Sequence, residues 1–199
     1  MFLSITNLTK AFSFVALFGM TWKGDVPVRE TLVRIHPDSE VIISGTTNLN
    51  SFNCRYNLEE KTSPVHVVYE KTGAKYIFSR AQLLLQNSCF DCGGRGINRD
   101  FRELLRSEAY PQVHLELLYA QVPEDLSEAV RAGIRITLAG VTRDFETDVI
   151  CNFDPDLCIY GNFPMQLSDF DLEPPSKVLG MIKVDDQIEV QLNLRLRQQ

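Results

Sequence analysis

Cysteines and glycines carry the most chemical promise in this chain, and they cluster in "NSCFDCGGRGINRDF" (87–101). Cys89-x-x-Cys92 has the spacing of half a zinc site or of a dithiol redox centre. Gly93-Gly94-Arg95-Gly96 resembles a loop that cradles phosphate. A closed zinc site needs four ligands, and a catalytic one three plus water. No second Cys-x-x-Cys occurs and the histidines, His36, His66 and His114, are scattered, so no metal site is expected. A redox dithiol owes its low thiol pKa to a helix N-terminus, and here the glycine tetrad separates the pair from the first helical pattern. The P-loop spacing is absent, as is the βαβ unit that a dinucleotide fingerprint requires. What remains is a tight corner whose glycines are free to take positive φ.

The acids give no stronger chemistry. Asp169, Asp171 and Glu173 alternate in "LSDFDLEPP", which would put them on one side of an extended segment. Glycoside hydrolysis needs two carboxylates flanking a cleft, whereas acids on a solvent face before Pro-Pro read as a charged strand edge. Neither Gly-x-Ser-x-Gly nor His-Glu-x-x-His is present. No catalytic residue and no cofactor is assigned, and the chain is read as a non-enzyme. In "CNFDPDLC", Cys151 and Cys158 lie symmetrically about Asp154-Pro155, so they could face each other across a hairpin.

Composition bounds the rest. The 199 residues suit one domain, and 44% hydrophobic with 23% charged residues is the balance of an ordinary globular protein. A net charge of −6 without a basic tail argues against nucleic acid as the main partner. "MFLSITNLTK" ends in a cation and "AFSFVALFGMTW" (11–22) is an uncharged apolar run, the layout of a secretory signal. Residues 1–24 therefore read as a signal peptide, or else as an apolar N-terminal core segment, and 28–197 as the folded domain. Five cysteines agree with export to an oxidising compartment, the periplasm or the exterior.

The elements that must position these residues are mostly strands. "QIEVQLNLRL" (187–196) alternates without a break, and "GIRITLAG" (133–140), "VHLELLY" (113–119) and "IYGNFPMQL" (159–167) do the same. A strand with one buried and one wet face gives this pattern. Alternation puts Leu115, Leu117, Ile134, Ile136, Leu138, Phe163, Met165, Ile188, Val190, Leu192 and Leu194 on the interior face, and His66 and His114 on the solvent face. One segment, "NRDFRELLRSEAYP", reads as a helix capped by Asn98 and ended by Tyr110-Pro111. Its inner face holds Phe101, Leu104 and Leu105, and its outer face Arg99, Arg102 and Arg106. "PEDLSEAVRAG" (123–133) could add a short helical turn. Many antiparallel strands with one helix predict an all-β barrel or sandwich.

Five motifs in order, "GTTNLNSFNC" (45–54), "NRDFRELLRSEAYPQV" (98–113), "LAGVTRDF" (138–145), "LSDFDLEPP" (167–175) and "LGMIKVDDQIEVQLNL" (179–194), resemble the YceI-like family of polyisoprenoid-binding proteins. The resemblance implies an exported, lipocalin-like antiparallel β-barrel with one helix packed at the barrel. It implies an isoprenoid or other long-chain lipid in the interior, against the interior-face strand residues and Phe101, Leu104 and Leu105. Asn48, Phe52, Tyr110, Pro111, Gly140, Thr142, Asp169, Phe170 and Pro174 fall on family motif positions and are read as fold-defining. A charged head group would meet Arg99, Arg102 and Arg106, whose guanidinium groups match phosphate oxygens. Exported relatives pair a cysteine after "SFN" with one before the helix, which implies a Cys54–Cys92 disulfide. Cys151–Cys158 would be a second clip, leaving Cys89 over; a local Cys89–Cys92 bond is the rival. A homodimer and a transient membrane contact are compatible with such a carrier. The alternative is a structural or interaction barrel filled by its own side chains.

Overall fold

The computed structural model describes residues 27–56, 58, 64–125, 128–153, 155–177 and 182–198; the signal-like segment 1–24 lies outside them. Thirteen strands follow one another as β1 (Val28–Ile35), β2 (Glu40–Thr47), β3 (Ser51–Tyr56), β4 (Val65–Thr72), β5 (Lys75–Arg80), β6 (Gln82–Gln86) and β7 (Phe90–Asp91). After the helix α1 (Arg95–Leu104) come β8 (Gln112–Gln121), β9 (Val130–Leu138), β10 (Val141–Phe153), β11 (Leu157–Gln166), β12 (Ser176–Lys177) and β13 (Ile182–Gln198). Every pairing is antiparallel.

The sheet closes on itself. Its order β1-β4-β5-β8-β9-β10-β11-β13 returns to β1 through Val33↔Gln198, Arg34↔Arg197 and Ile35↔Leu196. This makes an eight-stranded barrel, the form that the resemblance implied where alternation allowed a barrel or a sandwich, with a diameter that side chains or one small ligand can fill. β13 is long enough to meet β1 at its end and β2 along its middle, Val190 opposite Ile43 and Leu192 opposite Val41. β3 then adds to β2, and the short β7 to β3.

Register is written on the outer face. Arg135 lies opposite Asp144 and grips it with two hydrogen bonds of 2.7 and 2.8 Å; Arg131 lies opposite Asp148, and Thr137 opposite Thr142. A one-residue slip would break these pairs and turn Ile134, Ile136 and Leu138 outward. His114 is exposed, and His66 is half-buried on that face, its Nε2 3.3 Å from Glu30.

Several expectations need correction. The helix starts at Arg95 with Gly94 as its cap residue, so Asn98 is inside it, and it stops at Leu104 because Arg106 takes a left-handed φ of 51°. Val130–Leu138 is strand rather than helix. Leu167–Phe170 forms a 3₁₀ turn and Asp171 is left-handed, so Asp169, Asp171 and Glu173 do not share an extended edge. Phe170 instead inserts fully into the core and stacks on Phe145. Cys151 and Cys158 are free thiols: Cys151 pairs with Ile159 and Asn152 with Cys158, so the two cysteines are one register step apart and face opposite sides of the sheet. Burial pushes the Cys151 thiol pKa up.

Candidate ligand-binding site

The barrel is not closed along its whole length. β6 pairs only with β8, and β7 only with β3, so among the described residues no ladder joins β6 to β7. The chain between them turns out of the wall, forms α1, and returns to β8. α1 presents Ile97, Phe101, Leu104 and Leu105 to the interior, at the spacing of one helical face. Phe101, Phe90 and Tyr56 form a file of rings with centroids 5.1 and 4.9 Å apart, tying α1 to β7 and β3.

Cys54 in β3 is disulfide-bonded to Cys92, just ahead of α1, and Cys89 takes part in no disulfide. Gly93 follows with φ 89°, a conformation that favours glycine and turns the chain into the helix. Asn98 then reaches back: its Oδ1 accepts from Cys92 N at 2.7 Å and its Nδ2 donates to Asp91 Oδ1 at 2.9 Å. Gly93 N donates to the same oxygen, and the two donors hold the Asp91 pKa below its usual value. At the far side, buried Asn87 donates to Ser107 Oγ and to the Tyr110 carbonyl. The corner that opens with Cys89 is thus a bracket for the helix.

Beneath α1 is a cavity of about 460 Å³, within the range of small-ligand sites. Nine of the sequence-expected interior residues line it: Phe101, Leu104, Leu105, Leu115, Ile136, Leu138, Met165, Ile188 and Val190. Leu117, Ile134, Phe163, Leu192 and Leu194 do not. They face inward but lie further along β8, β9, β11 and β13, where they belong to the hydrophobic core or pack against it. Alternation reports the face a residue takes, not how far along the axis the interior is filled.

Sequence reasoning missed Val41, Ile43, Phe52, Leu85, Phe90, Val113, Leu167 and Val184 as cavity residues; the Cys54–Cys92 disulfide that the resemblance implied is present, and it too borders the cavity. The alternation of Val41 and Ile43 in β2 was the available signal. The polar end is formed by Thr47, Asn50 and Ser51 of the β2–β3 turn and by Asp100 of α1. Thr47 Oγ1 bonds to the Asn50 backbone and side chain there.

The three arginines named for a head group stand apart from the cavity. Arg99, Arg102 and Arg106 do not line it: the first two lie on α1 away from the Phe101 side, and Arg106 follows the helix. Arg99 is 3.6 Å from both Asp100 and Glu103, and Arg106 donates to the Asp171 carbonyl at 2.7 Å.

Solved structures share this architecture. Burkholderia cenocepacia BcnA superposes with a TM-score of 0.57 at 12% identity, over 82% of this chain and 99% of its own. A polyisoprenoid binding domain from Saccharophagus degradans gives 0.58 at 12% identity, over 87% and 99%. A mutant YceI protein of Campylobacter jejuni gives 0.50 at 14%, over 67% and 80%. The fold is the YceI-type, lipocalin-like barrel. No family model and no curated protein matches the sequence, so the likeness lies in the fold.

Proposed function

We propose that the barrel holds one long-chain amphiphile, an isoprenoid or a similar lipid, with its chain under α1 and its polar end at the β2–β3 turn. The observation that carries this reading is the apolar cavity of about 460 Å³ under α1 in the barrel interior. A domain of the same fold from Saccharophagus degradans is described as polyisoprenoid-binding, which supports the same ligand class here. The role is binding without catalysis. Polar groups at the turn give the head group hydrogen bonds, while the chain gains by leaving water, at about 25 cal/mol per Å² of apolar surface buried.

The Cys54–Cys92 disulfide supports work in an oxidising compartment after export, and no helix among the described residues is long and apolar enough to cross a membrane. A carrier of this kind would load and unload by brief contact with a membrane. Organic extraction of the purified protein followed by mass spectrometry tests the proposal. A lipid recovered at about one equivalent supports it. An extract with none, from protein that also takes up no added geranylgeraniol, returns the barrel to a structural role.

A further inference from the structure

We propose that Gly45 and Phe52 together set the bore of the cavity mouth and so select the width of chain that enters; the inference rests on the cavity being a lipid site. The two residues are directly opposite in the β2–β3 ladder, and both face the interior. Phe52 belongs to the cavity wall next to the polar turn. The outer end of its ring lies over Gly45, in the space that a side chain at that position would fill.

A methyl group at 45 would overlap the ring, with Cζ the nearest atom and Cε1 at 2.9 Å. Gly45 has an ordinary strand φ, so its backbone gives no reason for glycine; the ring does. On its other side Gly45 pairs with Ile188, a further wall residue, so the ring cannot slide along the sheet without meeting that side chain. The movable atoms are the far end of Phe52, and the space open to them is the cavity itself. Any side chain at 45 therefore swings the ring into the bore. The same device recurs on the outer face, where the Tyr119 ring covers Gly133, but there it borders no cavity.

The assignment predicts an ordered pattern of binding. The probe is cis-parinaric acid, an unbranched polyene whose fluorescence rises when its chain leaves water. It is displaced by palmitate, which is straight, or by geranylgeraniol, which carries methyl branches. Gly45→Ala should weaken geranylgeraniol about ten-fold or more, in keeping with the cost of overfilling a fitted interior, and palmitate less. The double variant Gly45→Ala/Phe52→Ala should restore both affinities, because the added methyl then meets no ring. Phe52→Ala alone should shift preference toward the branched chain, and it keeps the test open if Gly45→Ala does not fold. Equal affinities of Gly45→Ala and the native protein for both chains would overturn the inference and leave the lipid site standing. Failure of the native protein to take up the probe would overturn both.

Discussion

Asp156 has only 6% of its side chain exposed, yet it is charged, because Arg197 grips both of its oxygens at 2.9 and 3.0 Å and Arg195 approaches to 3.4 Å. The Arg197 hydrogen bonds, with smaller help from the charges of Arg197, Arg195 and His36, hold its pKa below the usual carboxylate range, against the opposing effect of burial. A folded-state pKa lower than the unfolded one means that the stabilisation is whole above the ordinary value of about 4 and is lost as pH falls through the folded value. Asp156→Asn should therefore be less stable than the native protein at neutral pH, with the difference shrinking in acid. Urea midpoints across that range measure it. None of this was legible in "CNFDPDLC", where Asp156 looked like a turn residue; its partners come from the far end of β13. The same distance in sequence hid the fate of Cys151 and Cys158. Symmetry about a turn suggests a pair, but register decides it, and the register sets them on opposite faces.

The helix is the element that the barrel cannot hold by packing alone. Of its residues none is fully buried, and its anchorage is the bracket of Cys92, Asn98, Asn87 and the aromatic file. The Cys54–Cys92 bond spans a sequence separation of 38. Closing a loop of that length contributes about 4 kcal/mol in the chain-entropy model. Reduction, or Cys54→Ser with Cys92→Ser, should lower the denaturation free energy by roughly that amount. It should also raise hydrogen exchange in α1 ahead of the β8–β11 strands. Unchanged α1 protection after reduction would show that the bracket holds without the bond. At this scale the long strands were readable from alternation, and the one helix from its apolar face. The breaks between β1 and β2 and between β5 and β6, and the side layer β2–β3–β7, were not. They are set by which strand edge is free to pair, a property of the closed sheet rather than of any segment.

Along its axis the barrel has a stretch of core that does not border the cavity and a hollow stretch under α1. Leu192 (8% exposed) belongs to the first, and Met165 (5% exposed) borders the second, so similar burial serves different ends. Leu192→Ala and Met165→Ala should each cost about 2–5 kcal/mol, since both delete buried methylenes. Only Met165→Ala should change the uptake of cis-parinaric acid, because only it enlarges the hollow stretch. Equal effects on uptake would mean that the two stretches communicate. The sequence therefore made the interior face legible almost residue by residue, while the boundary between core and cavity depended on where α1 lands. The arginines show the same limit: the outward direction of Arg99 and Arg102 was readable from the apolar face opposite, but the end of the helix before Arg106 was not.

One consequence follows from how α1 is attached. β6 and β8 are themselves adjacent strands, Gln86 opposite Gln112, and Asn87 N donates to the Pro111 carbonyl at 2.9 Å. The whole span from 87 to 111 therefore leaves and re-enters the wall at a single point, as an oversized hairpin loop. Such a loop is an exchangeable cassette: apart from the β7–β3 pairing and the Cys54–Cys92 bond, its length and side chains can vary without disturbing any rung of the eight-stranded ring, since loop closure cost grows only slowly with length. Proteins that keep these strands and change this loop would inherit the same vessel with a different lid, and ligand choice could diverge while the barrel stays constant.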